Sequence, residues 1–114
     1  MTKNDALKDI KEHEEYLKAK DSTKVFMRSW LPPQEIEHVV FAVHGQCTHS
    51  IIYRKLASAL TERKIATFAI DLRGYGNTGM RGDAEDFPLV IEDINIALST
   101  VRARYPELPV SLLS

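Results

Sequence analysis

The chain has 114 residues, of which 44% are hydrophobic and 27% charged, and its formal net charge is −1. These values are ordinary for one globular domain, and the near-neutral charge gives no electrostatic reason to expect nucleic acid or an anionic membrane as a partner. No apolar run approaches the ~18–20 residues that span a bilayer. The first residues, MTKNDALKDIKEHEEY, are charged and lack the apolar core of a secretory signal.

Cysteine and histidine usage narrows the chemistry further. Cys47 is the only cysteine, which excludes an internal disulfide and any zinc site built on cysteines. The four histidines, His13, His38, His44 and His49, match no helix or loop spacing of a zinc site. We therefore expect no metal and no cofactor, and a reducing, cytoplasmic setting.

The first part of the chain predicts an extension followed by a β-hairpin. Residues 1–13 form the N-terminal extension or a short helix. Residues 15–19 and 24–31 predict two strands joined by a polar turn. Two consecutive prolines then end the second strand, because proline cannot donate a hydrogen bond to a neighbouring strand.

Three apolar runs further along predict strands, and the first two suit strands that are buried on both faces, as in a parallel sheet. They cover residues 38–43, 65–70 and 109–114. Because predicted helices separate them, we expect a parallel sheet with right-handed crossovers and the antiparallel hairpin at one edge. The predicted fold class is therefore α/β.

Two amphipathic segments predict the crossover helices. The first covers residues 50–63, and its apolar side chains share one face: Ile52, Leu56, Ala59 and Leu60. The second begins at Pro88, which suits the first turn of a helix, and ends near Tyr105. It carries six apolar residues at a spacing of three to four: Val90, Ile91, Ile94, Ala97, Leu98 and Val101.

The stretch DLRGYGNTGM (71–80) contains G-x-G-x-x-G, the phosphate-binding pattern of dinucleotide folds, over residues 74–79. In those folds the first glycine follows a strand directly and a helix opens at the third. Here Asp71 to Arg73 intervene, and the next predicted helix starts only at Pro88. The pattern favours a tight turn, which Asp71 and Arg73 would fix structurally, and a nucleotide-binding α/β domain stays the alternative.

Four motifs, in order, resemble those of α/β-hydrolases. DLRGYGNT is similar to their D-x-R-G-x-G-x-[ST] loop, and VHG (43–45) to the H-G turn after a central strand. HGQCTHS (44–50) resembles the H-G-x-x-x-H-S loop of monoacylglycerol lipases, lysophospholipases and related serine hydrolases with an S33-type serine aminopeptidase domain. YPELPVSLL (105–113) resembles the segment that leads into their nucleophile elbow. The resemblance covers about residues 14–114 and implies a partial α/β-hydrolase domain.

The resemblance implies that the protein hydrolyses carboxylic esters with a Ser-Asp-His triad and an oxyanion hole. It places the backbone N–H of Gln46 in that hole and gives His44 and Gly45 the role of ordering the loop. The triad histidine comes late in the chain order of this fold, so we expect neither His44 nor His49 to transfer protons. Cys47, beside them, is interpreted as a loop residue and not as a nucleophile.

The register of the elbow motif locates the attacking serine outside the chain. Ser114 takes the first glycine position of G-x-S-x-G, so the serine would lie two residues beyond it and the other triad members further on. These 114 residues are then an N-terminal hydrolase fragment, truncated before the elbow and inactive alone. We expect an acyl ester or lipid-like substrate for the intact parent.

Other interpretations stay open. Strand 110–113 would present an open edge, so we expect association through that edge or with a complementary C-terminal fragment. A non-catalytic hydrolase-like interaction module or an inactive truncated product is the alternative to the enzyme. Peptidase, thioesterase and epoxide-hydrolase chemistries share this part of the fold.

Overall fold

The computed structural model of the chain describes residues 11–45, 49–73, 75, 78 and 87–114. In chain order the elements are β1 (Lys11–Lys18), β2 (Lys24–Leu31), β3 (His38–Val43), a 3₁₀ turn (Ser50–Tyr53), α1 (Arg54–Thr61), β4 (Ile65–Ile70), α2 (Phe87–Arg104) and β5 (Val110–Leu113). The strands form one sheet in the order β1-β2-β4-β3-β5. β2 runs antiparallel to β1 and β4, whereas β3 runs parallel to β4 and β5. The predicted α/β architecture, with a hairpin at one edge, is confirmed.

The first strand begins earlier than predicted. β1 starts at Lys11, so the part of the predicted N-terminal helix that covers residues 11–13 is wrong. Residues 1–10 lie outside the described part of the chain. β1 also runs across the boundary predicted between the extension and the domain at residues 13 and 14.

Cross-strand pairs explain why this charged segment is a strand. Glu12 lies opposite Trp30 and Glu14 opposite Arg28. The Trp30 indole N–H donates to Glu12 Oε1 at 2.7 Å, and Arg28 Nη1 donates to Glu14 Oε1 at 3.0 Å. Pairs of opposite charge on facing strands stabilise a sheet, so β1 does not need an apolar pattern.

Alternate residues of each strand point to opposite faces of the sheet, and each face carries one helix. On the α2 face a large cluster is buried, with these members: Ala19, Val25, Met27, Val39, Phe41, Ala66, Phe68, Ile70, Ala97 and Val101. On the α1 face the buried cluster is smaller, with Trp30, Ala42, Ala57 and Ala69. The small alanines let α1 lie close to the sheet.

The apolar face predicted for the first helix is not the buried one. Ala57 and Thr61 are the buried residues of α1, whereas Ile52 and Leu56 are 52% and 41% exposed. The helix is turned so that its alanine, which is smaller than leucine, fills the narrow space over Trp30. Ile52 and Leu56 remain as an apolar pair on the outer surface.

The second helix lies where it was predicted, but the burial of some of its side chains differs from the prediction. α2 runs from Phe87 to Arg104, within one residue of the predicted bounds. Ala97 and Val101 are buried as expected. Ile91, however, is 55% exposed and the charged Asp93 is only 1% exposed, so an acidic residue occupies a position that periodicity assigns to an apolar one.

Lys64 adopts a backbone conformation that favours glycine. Its φ is 63°, in the left-handed region that commonly follows a helix and that glycine occupies without strain. Its ammonium lies 3.6 Å from Glu37 Oε1, with both side chains largely exposed, and such surface pairs contribute little. Glycine relieves a left-handed cost of about 1–2 kcal/mol and loses about 0.5–1 kcal/mol through its greater backbone freedom. We therefore predict that Lys64→Gly raises the free energy of unfolding by up to about 1 kcal/mol, measured by urea unfolding.

The matched control is the same change inside a helix. Lys55 is exposed within α1, where glycine is about 1 kcal/mol less favourable than a good helix former. Lys55→Gly should therefore lower the urea midpoint. Changes of the same sign in both variants would contradict the assignment of strain to Lys64.

Candidate active site

The candidate site lies where two neighbouring parallel strands end. Val43, the last residue of β3, pairs with Ile70, the last residue of β4. The segments that follow, His44-Gly45 and 71–73, therefore emerge side by side at the carboxyl edge of the sheet. Open α/β sheets bind their ligands at this edge.

His44 joins these two segments through both of its ring nitrogens. Nδ1 donates to the carbonyl of its neighbour Gly45 at 2.7 Å, and Nε2 accepts the backbone N–H of Leu72 at 2.8 Å. Because a carbonyl only accepts and an amide N–H only donates, the ring must be neutral with its proton on Nδ1. The side chain is 3% exposed, and this burial lowers the pKa of His44 below its ordinary value.

The other end of the same loop is tied to the same segment. The backbone N–H of Ser50 donates to Asp71 Oδ1 at 2.7 Å, and both residues are fully buried. The Tyr53 hydroxyl donates to the carbonyl of Val43 at 2.8 Å, and burial raises the pKa of Tyr53. Residues 71 and 72 thus contact both flanks of the loop between Gly45 and Ser50.

Arg73 continues this segment and is held by two carboxylates. Nε and Nη2 donate to Asp93 of α2, each at 3.0 Å. Nη1 and Nη2 donate to Asp21 at 2.7 and 3.0 Å, and Nη1 also donates to Thr23 Oγ1 at 3.0 Å. All five N–H donors of the guanidinium are therefore used. We call Arg73, Asp21, Thr23 and Asp93 the arginine clamp.

The contacts within the arginine clamp shift the pKa values of Asp21 and Arg73. Hydrogen bonds from Arg73, and then from Thr23, hold the pKa of Asp21 well below its usual range. The Asp21 and Asp93 carboxylates in turn raise the pKa of Arg73. The expectation that Arg73 has a structural role agrees with this geometry, although the sequence pattern did not identify its partners.

The described residues of the glycine-rich stretch form successive turns. The Tyr75 N–H donates to the Leu72 carbonyl at 2.9 Å, and the Thr78 N–H to the Tyr75 carbonyl at 3.0 Å. Thr78 Oγ1 then accepts the Phe26 N–H of β2 at 2.7 Å. Gly74, Gly76 and Gly79 lie outside the described residues, and α2 begins only at Phe87.

Some predicted site residues cannot be located. Gln46, the predicted oxyanion donor, and Cys47 lie outside the described residues. Gly45 is exposed, and a Cβ built on it would meet no atom within 4 Å from the described residues beyond its chain neighbours. Within the described part of the chain, His49 Nδ1 and Ser50 Oγ are buried without a hydrogen-bond partner.

The described residues contain no group of three or more side chains able to hold a metal ion. None of the described helices is both long enough and apolar enough to cross a membrane.

The roles of Asp21, Ser50, Tyr53 and Asp93 were missed by the sequence analysis. Their contacts join residues 10 to 52 positions apart, and no local spacing pattern encodes such contacts. The only available signal was an arginine directly after a buried strand, which requires acidic partners when it is itself buried.

Parallel strands joined to an antiparallel hairpin, with the sequence H-G after β3 and the sequence D-x-R-G-x-G after its neighbour β4, are the arrangement of an α/β-hydrolase. The family described as serine aminopeptidase, S33 matches residues 34–114, and the chain belongs to this hydrolase family. The nucleotide-binding alternative finds no support in this membership.

Curated relatives agree with the family. The chain is 34% identical over 94 residues to the monoglyceride lipase of Rattus norvegicus and 33% identical over 94 residues to that of Homo sapiens. Each match covers 82% of this chain and 31% of the relative. The chain therefore spans about a third of the length of the curated relatives it matches.

Solved structures share the fold. A thermostable carboxyl esterase from Bacillus coagulans superimposes with a TM-score of 0.77 at 23% identity, over 89% of this chain and 35% of that chain. A cold-adapted esterase from an Arctic intertidal metagenomic library superimposes with a TM-score of 0.75 at 25% identity, over 90% of this chain and 49% of that chain.

The bonds of His44 predict acid sensitivity. In the unfolded chain the imidazole takes up a proton near pH 6.5. In the folded chain burial lowers the pKa of His44, and the neighbouring His49 lowers it further, whereas the charge of Asp71 opposes this shift. The ring of Tyr75 lies 5.5 Å from the His44 ring. The unfolded state then binds more protons, so stability falls as pH falls. We predict full stability above about pH 6.5 and a declining urea midpoint below it.

The contribution of His44 can be isolated with His44→Gln, which has no titrating ring. This variant is expected to be less stable at neutral pH but to lose less of its remaining stability between pH 7 and 5. An equal decline in the variant and the original chain would show that other groups cause the acid sensitivity.

Proposed function

We propose that these residues are the N-terminal part of a serine hydrolase that cleaves carboxylic esters of lipid-like substrates. The attacking serine, its histidine base and its acid are assigned to residues outside the 114. Identity with monoglyceride lipases over 82% of the chain supports this proposal. The observation that carries it is the hydrogen bond from His44 Nδ1 to the Gly45 carbonyl, at the edge of the sheet where acyl transfer would occur.

That bond supports an oxyanion-hole role for the next backbone amide. A peptide unit is planar and trans, so fixing the carbonyl of Gly45 also fixes the direction of the N–H that Gln46 contributes to the same unit. A preorganised N–H of this kind stabilises the negative charge that develops on the substrate oxygen, and losing one such donor costs about 10²–10³ in rate. His44 would therefore act as a positioning residue.

The space beside Gly45 is consistent with an acyl group entering there. Among the described residues other than its chain neighbours, none has an atom within 4 Å of the position that a Cβ would take, and Gly45 itself is exposed. A substrate carbonyl could therefore approach the backbone on this side without meeting a side chain of those residues. Any larger residue would project into this space.

The proposal predicts how the protein reacts with a serine-directed probe. The complete gene product should hydrolyse 4-nitrophenyl butyrate and a monoacylglycerol, and it should be labelled covalently by a fluorophosphonate. The 114-residue chain should show neither property, because the proposal assigns the attacking serine, its base and its acid to residues outside it. Labelling is read by intact-protein mass spectrometry.

Two results would refute this assignment. Labelling of a serine within the 114 residues would show that the nucleophile lies inside them. A complete gene product that neither hydrolyses esters nor reacts with the probe would favour the non-catalytic interaction module. The coding sequence after codon 114 distinguishes the same two cases, because the enzyme requires a continuation of the type x-S-x-G.

We also propose that the outer edge of β5 binds the remainder of the hydrolase domain or, without it, a second copy of the chain. β5 has the sequence VSLL and pairs only with β3 among the described strands. Leu112 is 65% exposed. By contrast, the opposite edge, β1, has the sequence KEHEEYLK, and charged edge strands resist pairing.

This contrast predicts a difference between two substitutions at apolar residues that are both more than half exposed. Leu112 of β5 is 65% exposed and Tyr16 of β1 is 55% exposed. We expect the 114-residue chain to self-associate, Leu112→Lys to reduce this association, and Tyr16→Lys to leave it unchanged, as measured by sedimentation velocity. A monodisperse original chain, or an equal response to both substitutions, would contradict the proposal.

A further inference from the structure

We infer that Asp71 and Arg73 are positioning residues that hold the two described ends of the oxyanion loop, His44-Gly45 and Ser50, in their working positions. Both ends of the loop contact one short segment, residues 71–72. The next residue, Arg73, anchors that segment through the arginine clamp. The catalytic meaning of this inference rests on the proposed function, but its structural part can be tested separately.

The first step is the pairing of the two loop ends with consecutive residues. At the entry, the Leu72 N–H donates to His44 Nε2, whose Nδ1 holds the Gly45 carbonyl. At the exit, Asp71 Oδ1 accepts the Ser50 N–H. A shift of residues 71–72 would therefore move both ends of the loop together.

The second step is what keeps residues 71–72 in place. The Asp71 N–H donates to the Phe26 carbonyl of β2 at 2.9 Å, which extends the pairing of β4 with β2 by one residue. Beyond Leu72, the guanidinium of Arg73 is only 5% exposed and reaches Asp93 on one side and Asp21 on the other. Hydrogen bonds to charged partners are stronger than neutral ones, so the segment is held at both of its ends.

The third step connects this rigidity with rate. A misplacement of about 1 Å in a catalytic group can cost about 10² in rate. The lysine ammonium is a compact charge with three donors on one nitrogen, and it cannot reproduce the planar fork of five donors with which arginine binds two carboxylates. An Arg73→Lys substitution should therefore keep the positive charge but loosen the segment on which His44 and Ser50 depend.

The experiment measures kcat and KM for 4-nitrophenyl butyrate, and the ring ¹⁵N signals of His44, in the complete gene product. For Arg73→Lys we expect kcat to fall about tenfold or more with KM little changed, and the pKa of His44 to move toward its ordinary value. Asp71→Ala should also lower kcat, and Asp71→Asn, whose amide oxygen can still accept from Ser50, should recover part of that loss.

Two further variants keep the outcome interpretable. Arg104→Lys removes another bidentate contact of α2, the one with Glu15, and should change neither kcat nor the His44 signals. Asp21→Asn weakens the arginine clamp from its more exposed side, so it should shift both readouts in the same direction as Arg73→Lys by a smaller amount. It replaces Arg73→Lys if that variant does not fold.

The inference is overturned if the folded Arg73 or Asp21 variant keeps the His44 signals of the original protein, or if folded Asp71→Ala keeps its kcat. Absence of ester hydrolysis in the unsubstituted protein would count against the proposed function alone. The ring signals of His44 would still decide whether the arginine clamp positions the loop.

Discussion

The geometry of the site depends on the hydrogen bonds that the buried guanidinium of Arg73 donates. A charged side chain that is almost fully removed from water must be paired, and here two carboxylates and one hydroxyl satisfy all of its donors. The partners come from the β1–β2 turn and from α2, so three parts of the chain that are distant in sequence meet at one group. Removing Arg73 itself would be strongly destabilising, because it would leave the buried carboxylate of Asp93 without this counter-ion. The chain can therefore hold the segment after β4 rigid even though this segment belongs to no strand or helix.

The two faces of the sheet show how the site is left accessible while the core is closed. Large side chains such as Phe41 and Phe68 fill the α2 face, whereas Ala42 and Ala69 keep the α1 face thin. α1 can then approach the sheet closely enough for Tyr53, just before it, to bond the end of β3. Among the apolar residues that remain exposed, Leu112 lies on β5, Leu56 on α1 and Ile52 in the 3₁₀ turn before α1. The proposed remainder of the domain would cover Leu112.

Much of the fold could be predicted from the sequence because apolar periodicity and turn residues act locally. β3 and β4 have the predicted bounds because they are continuous apolar runs, and β2 has them because a polar turn precedes it and two prolines follow it. The failures have one physical cause in common, namely that burial of a residue depends on its partner. Asp93 is buried because Arg73 reaches it, and β1 begins at Lys11 because its glutamates have partners on β2. Within the candidate site, the motifs indicated His44, Gly45 and Arg73. Long-range contacts determine the hydrogen-bond partners of these residues, and no local sequence pattern reveals those contacts.

The same contacts bear on which histidine performs the chemistry. A general base needs a free lone pair within reach of the proton that it removes. In His44 the only lone pair of the ring, on Nε2, already accepts the Leu72 N–H, and the proton on Nδ1 is donated to Gly45. Accepting a further proton would turn Nε2 into a donor facing another donor and would release the loop that this ring holds. His44 is thus suited to fixing a backbone amide and unsuited to proton transfer. In the proposed hydrolase this chain would contribute electrostatic stabilisation of the transition state, and a histidine from elsewhere would have to move the proton.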